Sequence, residues 1–142
     1  MKYLILYVML SANLFSSNFI KSENIVIDIS KNMMWQDNSD NLSYKTTWIM
    51  SKEYCATLSL NGYTDWRLPN IKELQTVVDI REKNIAINKE FKFTVPSSYW
   101  SNSADITNKT KSWYVGFETG ATYRDSKDYD CYVRCIRSRF LK

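Results

Sequence analysis

The sequence predicts one α+β domain in which two helices come first, an antiparallel meander comes last, and both helices pack on one twisted sheet. Three observations carry this expectation. Helical periodicity runs through residues 47 to 80, and four strand-like runs punctuated by turn signals follow from residue 98. The length, 142 residues with about 120 left after an N-terminal leader, suits a single core.

The leader decides how the cysteines are read. Met1 and Lys2 precede the apolar run "YLILYVMLSANLF", which gives way to the polar stretch "SSNFIKSEN". That is the layout of a secretory signal peptide, so residues 1–22 are read as leader and 23–142 as the domain. Ser16, Ser17 and Ser22 each offer a small residue for cleavage. The run falls short of the roughly 20 apolar residues that span a bilayer, so no transmembrane span is expected. No cysteine follows it to carry a bacterial lipid anchor.

Each element has its own signal. "NIVIDI", Asn24 to Ile29, is β-branched and reads as a first strand. Asn32, before "MMWQ", stands where a turn can require positive φ. From Thr47 to Leu58 the period turns helical, with Trp48 and Cys55 seven apart and Ile49 and Ala56 likewise, and Asn61-Gly62 read as the C-cap. In "GYTDWRLPNIKEL", Asn70 and Glu73 have the spacing of a capping box, Ile71, Leu74 and Val78 form an apolar stripe, and Pro69 stops the helix from extending backwards. Trp66 reads as a core plug and Arg67 as the partner of a carboxylate or of loop carbonyls. The motif therefore reads as a hinge of the fold. Residues 81–98 lose the helical period and read as an ordered loop. "SYWSNS", "SWYVGF", "ATYRD" and "CYVRCIR" read as strands, with Glu118 to Gly120 as a hairpin connection.

Three cysteines allow one disulfide. In one extended strand Cys131 and Cys135 stand roughly 13 Å apart, beyond the reach of about 7 Å that a disulfide allows. Cys55 must therefore be one partner, with Cys135, inside "YVRCIR", the better candidate for the other. Closing that loop stabilises the fold by about 4 to 5 kcal/mol in the chain-entropy model.

Composition narrows the function. The chain has no histidine and no CxxC pair, so neither a metal centre nor a cofactor is expected, and general acid-base work would fall to scattered carboxylates such as Asp65, Glu73, Asp79 and Glu118. Three glycines exclude a collagen-like segment. The formal charge is +4, but Lys2 and Lys21 lie in or beside the leader, and export argues against nucleic acid. Arg124, Lys127, Arg134, Arg137, Arg139 and Lys142 crowd the last 19 residues against Asp125, Asp128 and Asp130, which reads either as a basic stripe or as a solvated strand face. Tyr99, Trp100, Trp113, Tyr114 and Tyr123 can stack on sugar rings or fill the core. Asn41-Leu-Ser43 and Asn108-Lys-Thr110 match glycosylation acceptors.

"DISKNMMWQ", Trp48 with "YCATLSLNGYTDWRLPNIKEL", "AINKEF", "YWSNS", "WYVGFETG" and "YVRCIR" follow one another in an order that resembles the Lcl C-terminal domain family, named for the C-terminal domain of the Legionella collagen-like protein. The resemblance runs from about Ile25 to Arg137. It implies a C-type-lectin-like fold with a long loop region and a disulfide between Cys55 and Cys135. It also marks Trp35, Trp48, Trp66, Arg67, Pro69, Glu73, Trp113 and Gly120 as structural motif residues. Family members are exported or surface-exposed proteins of bacteria and phages, which implies that this chain is exported in a bacterium, to the periplasm, the cell surface or the medium. The collagen-like member is a trimeric adhesin that binds sulfated polysaccharides. Here Asn32 replaces a usual glycine, Cys131 is an addition, and no collagen-like region imposes a trimer.

The implied function is an exported binding module that recognises a sulfated or acidic polysaccharide through Arg124, Lys127, Arg134, Arg137 and Trp100. The Glu-Pro-Asn and Trp-Asn-Asp sequences of calcium-dependent lectins are missing, so the recognition expected is calcium-free. The alternative is a structural or envelope-associated domain that contacts a surface protein or itself, as a trimer or as a dimer through Cys131. "WRLPNIKEL" is also similar to the "RLPT" signature of formylglycine-generating enzymes, oxidoreductases that need a reactive cysteine pair. The only cysteines close in sequence here are 131 and 135, so no catalytic residue is assigned and the chain is not expected to be an enzyme.

Overall fold

The structure, a computed structural model, describes residues 18–139. The apolar run read as a leader lies outside them. Phe19–Ser22, however, form strand β1, which pairs antiparallel with β2 (Ile25–Asp28), so the folded unit begins before residue 23. Only alternate residues of this edge strand turn inward, which is why "FIKS" carries little apolar signal. Phe19 packs edge-on against Phe91, and Lys21 reaches the Asp37 carboxylate at 2.7 Å.

Strand β3 (Met33–Gln36) follows a turn in which Asn32 has φ 53°, as its position in the sequence suggested. With β9 (Ile136–Ser138) these strands make an antiparallel sheet in the order β1-β2-β3-β9. A second sheet has the order β4-β8-β5-β6-β7: Lys45–Thr46, Cys131–Tyr132, Ser98–Ala104, Lys111–Gly116 and Ala121–Ser126. Its β5–β8 pair is parallel and the rest are antiparallel. The helices are α1 (Asp40–Ser43), α2 (Trp48–Thr57) and α3 (Ile71–Gln75). The α+β class holds, but the single twisted sheet is corrected to two. "CYVRCIR" is not one strand. Cys131–Tyr132 belong to one sheet and Ile136–Ser138 to the other, and the buried residues Val133, Arg134 and Cys135 carry the chain across between them.

Helix α2 turns Trp48, Ser51 and Cys55 inward, while Ile49 stays 60 % exposed and Ala56 also faces solvent. The seven-residue spacing fitted both pairs equally. Ser51 tolerates burial because its hydroxyl donates to the Trp48 carbonyl at 2.7 Å. Asn61-Gly62 does not cap this helix, whose C-cap is Leu58. The two residues, with φ 52° and 80°, form the centre of a tight turn across which Leu60 and Tyr63 exchange two backbone hydrogen bonds.

The hinge reading of "GYTDWRLPNIKEL" is seen atom by atom. Asn70 and Glu73 form the reciprocal capping box, and the Ser103 hydroxyl accepts the next N–H, from Ile71, at 2.9 Å. Arg67 grips Glu73 through two bonds of 2.8 and 2.7 Å, while its backbone pairs with Ile136 in both directions. The stretch thus clamps β9 in place. Trp66 is buried and donates its indole N–H to the Tyr63 carbonyl. The hairpin between β6 and β7 closes on Gly120, at φ 81°, where a Cβ would stand 2.5 Å from Val78 Cγ1.

The Cys55–Cys135 disulfide ties α2 to the crossing segment across 80 residues. Around it pack Trp48, Trp66, Leu68, Trp100 and Val133. A second cluster draws Val26, Trp35 and Ile136 from one sheet and Tyr99 and Val115 from the other, with Leu74 and Val77 of the α3 region. Beside it lies a buried ion pair. Asp37 accepts from Arg134 at 3.0 Å, from Lys21 at 2.7 Å, and from the backbone N–H groups of Lys92 and Phe93.

Two outcomes follow from these ties. Replacing both Cys55 and Cys135 by alanine is expected to lower the unfolding free energy in urea by about 4 kcal/mol, and a loss below about 1 kcal/mol would contradict the entropic account. Burial by itself would raise the Asp37 carboxyl, but Arg134, Lys21 and the two N–H groups outweigh it and hold the group below its ordinary 3.8. A depressed carboxylate contributes stability above its unfolded pKa and loses it as pH falls through the folded value. Asp37→Asn should therefore cost about 3–5 kcal/mol at pH 7 and flatten the stability loss below about pH 4. Comparison with the parent protein isolates Asp37 from Asp65, Glu73, Asp79 and Asp105, whose carboxyls are also held low.

Candidate binding surface

Three of the five side chains picked from the sequence as ligand contacts are committed to the interior. Arg134 is fully buried, donating to the Gln36 and Phe93 carbonyls, Thr94 and Asp37, with its guanidinium near the faces of Phe91 and Tyr99. Arg137 is 1 % exposed, forked onto Asp65 and 3.8 Å from the centre of the Tyr63 ring. Trp100 is fully buried and donates to the Thr46 carbonyl. Of the two arrangements read for the last strands, a basic stripe or a solvated face, Arg134 and Arg137 form neither. The partners of these arginines lie 97 and 72 residues away in the chain, and no local pattern pairs them.

Arg124 and Lys127 remain at the surface. Arg124, on β7, spends part of its charge on Asp105 at 3.2 Å and lies over the Trp113 ring. Lys127, just beyond β7, donates to the Lys109 carbonyl at 2.7 Å and holds its ammonium 4.4 Å from the centre of the Trp48 ring. A second ammonium, Lys52, stands 4.5 Å from the same ring. Sequence reading missed Lys52, although its spacing was a signal: it lies one turn beyond Trp48 on α2, where i and i+4 side chains meet.

The indole is itself anchored. Trp48 donates its ring N–H to Ser101 and its backbone N–H to the Lys127 carbonyl. Among the described residues no carboxylate lies within ion-pair distance of Lys52, Lys109 or Lys127. The result is a small cationic surface held against a fixed aromatic ring. It can attract an anion without first breaking an internal pair.

The model of the Lcl C-terminal domain matches residues 24–137. The chain belongs to the Lcl C-terminal domain family. No curated protein matches it. In this Lcl C-terminal domain the matched stretch starts at the turn between β1 and β2 and ends within β9, so it holds the disulfide and both partners of the buried ion pair.

Most motif residues do packing work. Trp35, Trp48 and Trp66 are buried, as is Pro69, whose carbonyl accepts from Asn102 at 2.7 Å. Arg67 and Glu73 pair with each other, Trp113 is half-buried beneath Arg124, and Gly120 supplies the hairpin's positive φ. Of the carboxylates weighed for acid-base chemistry, Asp65, Glu73 and Asp79 sit in ion pairs, and Glu118 is exposed in the hairpin. Asn41 cannot accept a glycan, because it is fully buried between Asn38 and Val133; Asn108 is exposed. Among the described residues no helix is long and apolar enough to cross a membrane.

Cys131 is a free thiol at the start of β8, but it is buried, which leaves it poorly placed to link two copies. Burial, reinforced by the nearby Asp125 carboxylate, pushes its pKa up to about 12. The thiolate is the reactive form, so Cys131 should react with a thiol reagent such as DTNB at least about a hundredfold more slowly in the native protein than in denaturant. Rapid native labelling would contradict the burial.

Proposed function

We propose that this domain is an exported, adhesin-type binding module on a C-type-lectin-like scaffold, and that it recognises a sulfated or acidic polysaccharide, without calcium, through the surface around Trp48. The observation that carries this reading is that Lys52 and Lys127, neither with a carboxylate partner among the described residues, rest on one anchored indole. Each cation–π contact is worth about 0.5–1 kcal/mol at an exposed site. The ring therefore holds the ammoniums in place before a ligand arrives, and less side-chain freedom is lost on binding. Lys109 and Arg124 extend the positive surface along the same end of β6 and β7, which suits a chain of repeated anionic groups. The disulfide fits an oxidising compartment and so supports export. The reading assigns no reaction to the domain.

A second reading, docking on a surface protein, draws on Ile49 and Met50, which α2 leaves 60 % and 47 % exposed beside Lys52. The two differ in what salt does. Electrostatic capture of a polyanion weakens as ionic strength rises, whereas an apolar contact does not.

The test is retention on immobilised sulfated and unsulfated polysaccharide, at low and high salt, with and without a calcium chelator. Binding is expected only to the sulfated or acidic polymers, to fade with salt, to ignore the chelator, and to weaken about tenfold when Lys52 and Lys127 are both changed to alanine. Equal retention of the double variant, or none by any polymer, would overturn the assignment.

A further inference from the structure

A cavity of about 310 Å³ lies among the β2–β3 hairpin, α3 and β9. Met33, Trp35 and Ile136 supply apolar walls, and charged side chains stand around them. The polar groups divide sharply into engaged and free. The Asp28 carboxylate accepts from the Ser30 hydroxyl and the Lys31 N–H, and Glu73 is held by Arg67 and by the Asn70 cap. The ammoniums of Lys31 and Lys72 have no partner among the described residues. Neither does the indole N–H of Trp35, although the residue is 1 % exposed. Trp48, Trp66 and Trp100, by contrast, each donate to a backbone carbonyl.

Apart from the second Asp28 carboxylate oxygen, the free hydrogen-bonding capacity around this cavity is thus of the donor kind, next to apolar walls. Glu73 is already neutralised by Arg67, and the two lysines outnumber Asp28. Such a lining complements a small anion with an apolar body, whose acceptor atoms meet the donors and whose hydrocarbon covers Met33 and Ile136. We propose that this cavity is a binding site for a small organic carboxylate of about ring size, with Lys31 and Lys72 holding the carboxylate. The site shares no residue with the Trp48 surface and stands without it.

The experiment follows the five indole N–H cross-peaks of the full chain by ¹H–¹⁵N NMR, with 2-naphthoate as the probe and its uncharged methyl ester as the control. Naphthoate is expected to shift the Trp35 cross-peak in a saturable way, the ester at least tenfold more weakly, and Lys31→Ala/Lys72→Ala to weaken naphthoate at least tenfold. Both lysines are exposed, so the variant should keep the other indole peaks in place; Lys72→Gln by itself serves if it does not. 2-Naphthalenesulfonate distinguishes sources of the negative charge: weaker binding than naphthoate supports a carboxylate site, and tighter binding replaces it with a sulfonate-type site. No saturable shift of Trp35 at millimolar probe, equal shifts by acid and ester, or an unchanged response in the lysine variants would overturn the proposal. None of these outcomes bears on polysaccharide retention, so the two readings fail separately.

Discussion

The buried pairing of Asp37 with Arg134 is the constraint on which the rest of the fold turns. Taking both charges out of water costs several kcal/mol per ion, and their attraction offsets that only if the remaining hydrogen-bonding sites are also met. Here nearly all are. Asp37, at the end of β3, receives two cations and two backbone N–H groups, while Arg134 donates four times. The exception is the Arg134 Nε, which has no partner. These bonds join β1, the end of β3, the loop at residues 92–94 and the crossing segment, four parts of the chain that no single secondary-structure element connects. A pair built this way imposes one arrangement of its neighbours, since displacement of any of them leaves a charge unmet in the interior.

The crossing segment concentrates that constraint. Arg134 sits between Val133, in the cluster around the disulfide, and Cys135, which is bonded to α2. One residue later Ile136 joins the other core cluster and exchanges two hydrogen bonds with Arg67. Four successive residues therefore serve two cores, a covalent link, an ion pair and a clamp. The hinge motif is tied into the same place, because Arg67 faces β9 with its backbone and Glu73 with its side chain. This is why a stretch dense in tryptophan, arginine and proline carries architecture; the Trp48 surface lies elsewhere, and only the helical end of the stretch, at Asn70, Lys72 and Glu73, lines the candidate cavity.

The division of labour between arginine and lysine has a physical basis. The buried cations at 134 and 137 are arginines, whose planar fork satisfies several acceptors and stacks on rings. The cations free at the surface, Lys31, Lys52, Lys72 and Lys109, are lysines, strongly hydrated and suited to meeting an anion from solvent. Counting basic residues near the C-terminus could not separate the two groups, because charge alone does not say which way a side chain points.

The sequence by itself determined what local chemistry determines: the α+β class, the capping box at Asn70 and Glu73, the positive φ at Asn32, the hairpin at Gly120, and Cys55 as one end of the disulfide. Each rests on the conformational needs or reach of a few neighbouring residues. Tertiary structure decided everything that depends on long-range pairing. It split "CYVRCIR" between two sheets, recruited "FIKS" as an edge strand, turned Asn61-Gly62 from a helix cap into a turn, and sent Arg134, Arg137 and Trp100 inward. It also gathered Lys52 and Lys127 on Trp48, residues 4 and 79 apart from it in the chain. The physical reason is that a side chain's burial is set by the partner it finds, and for Arg134 that partner is 97 residues away.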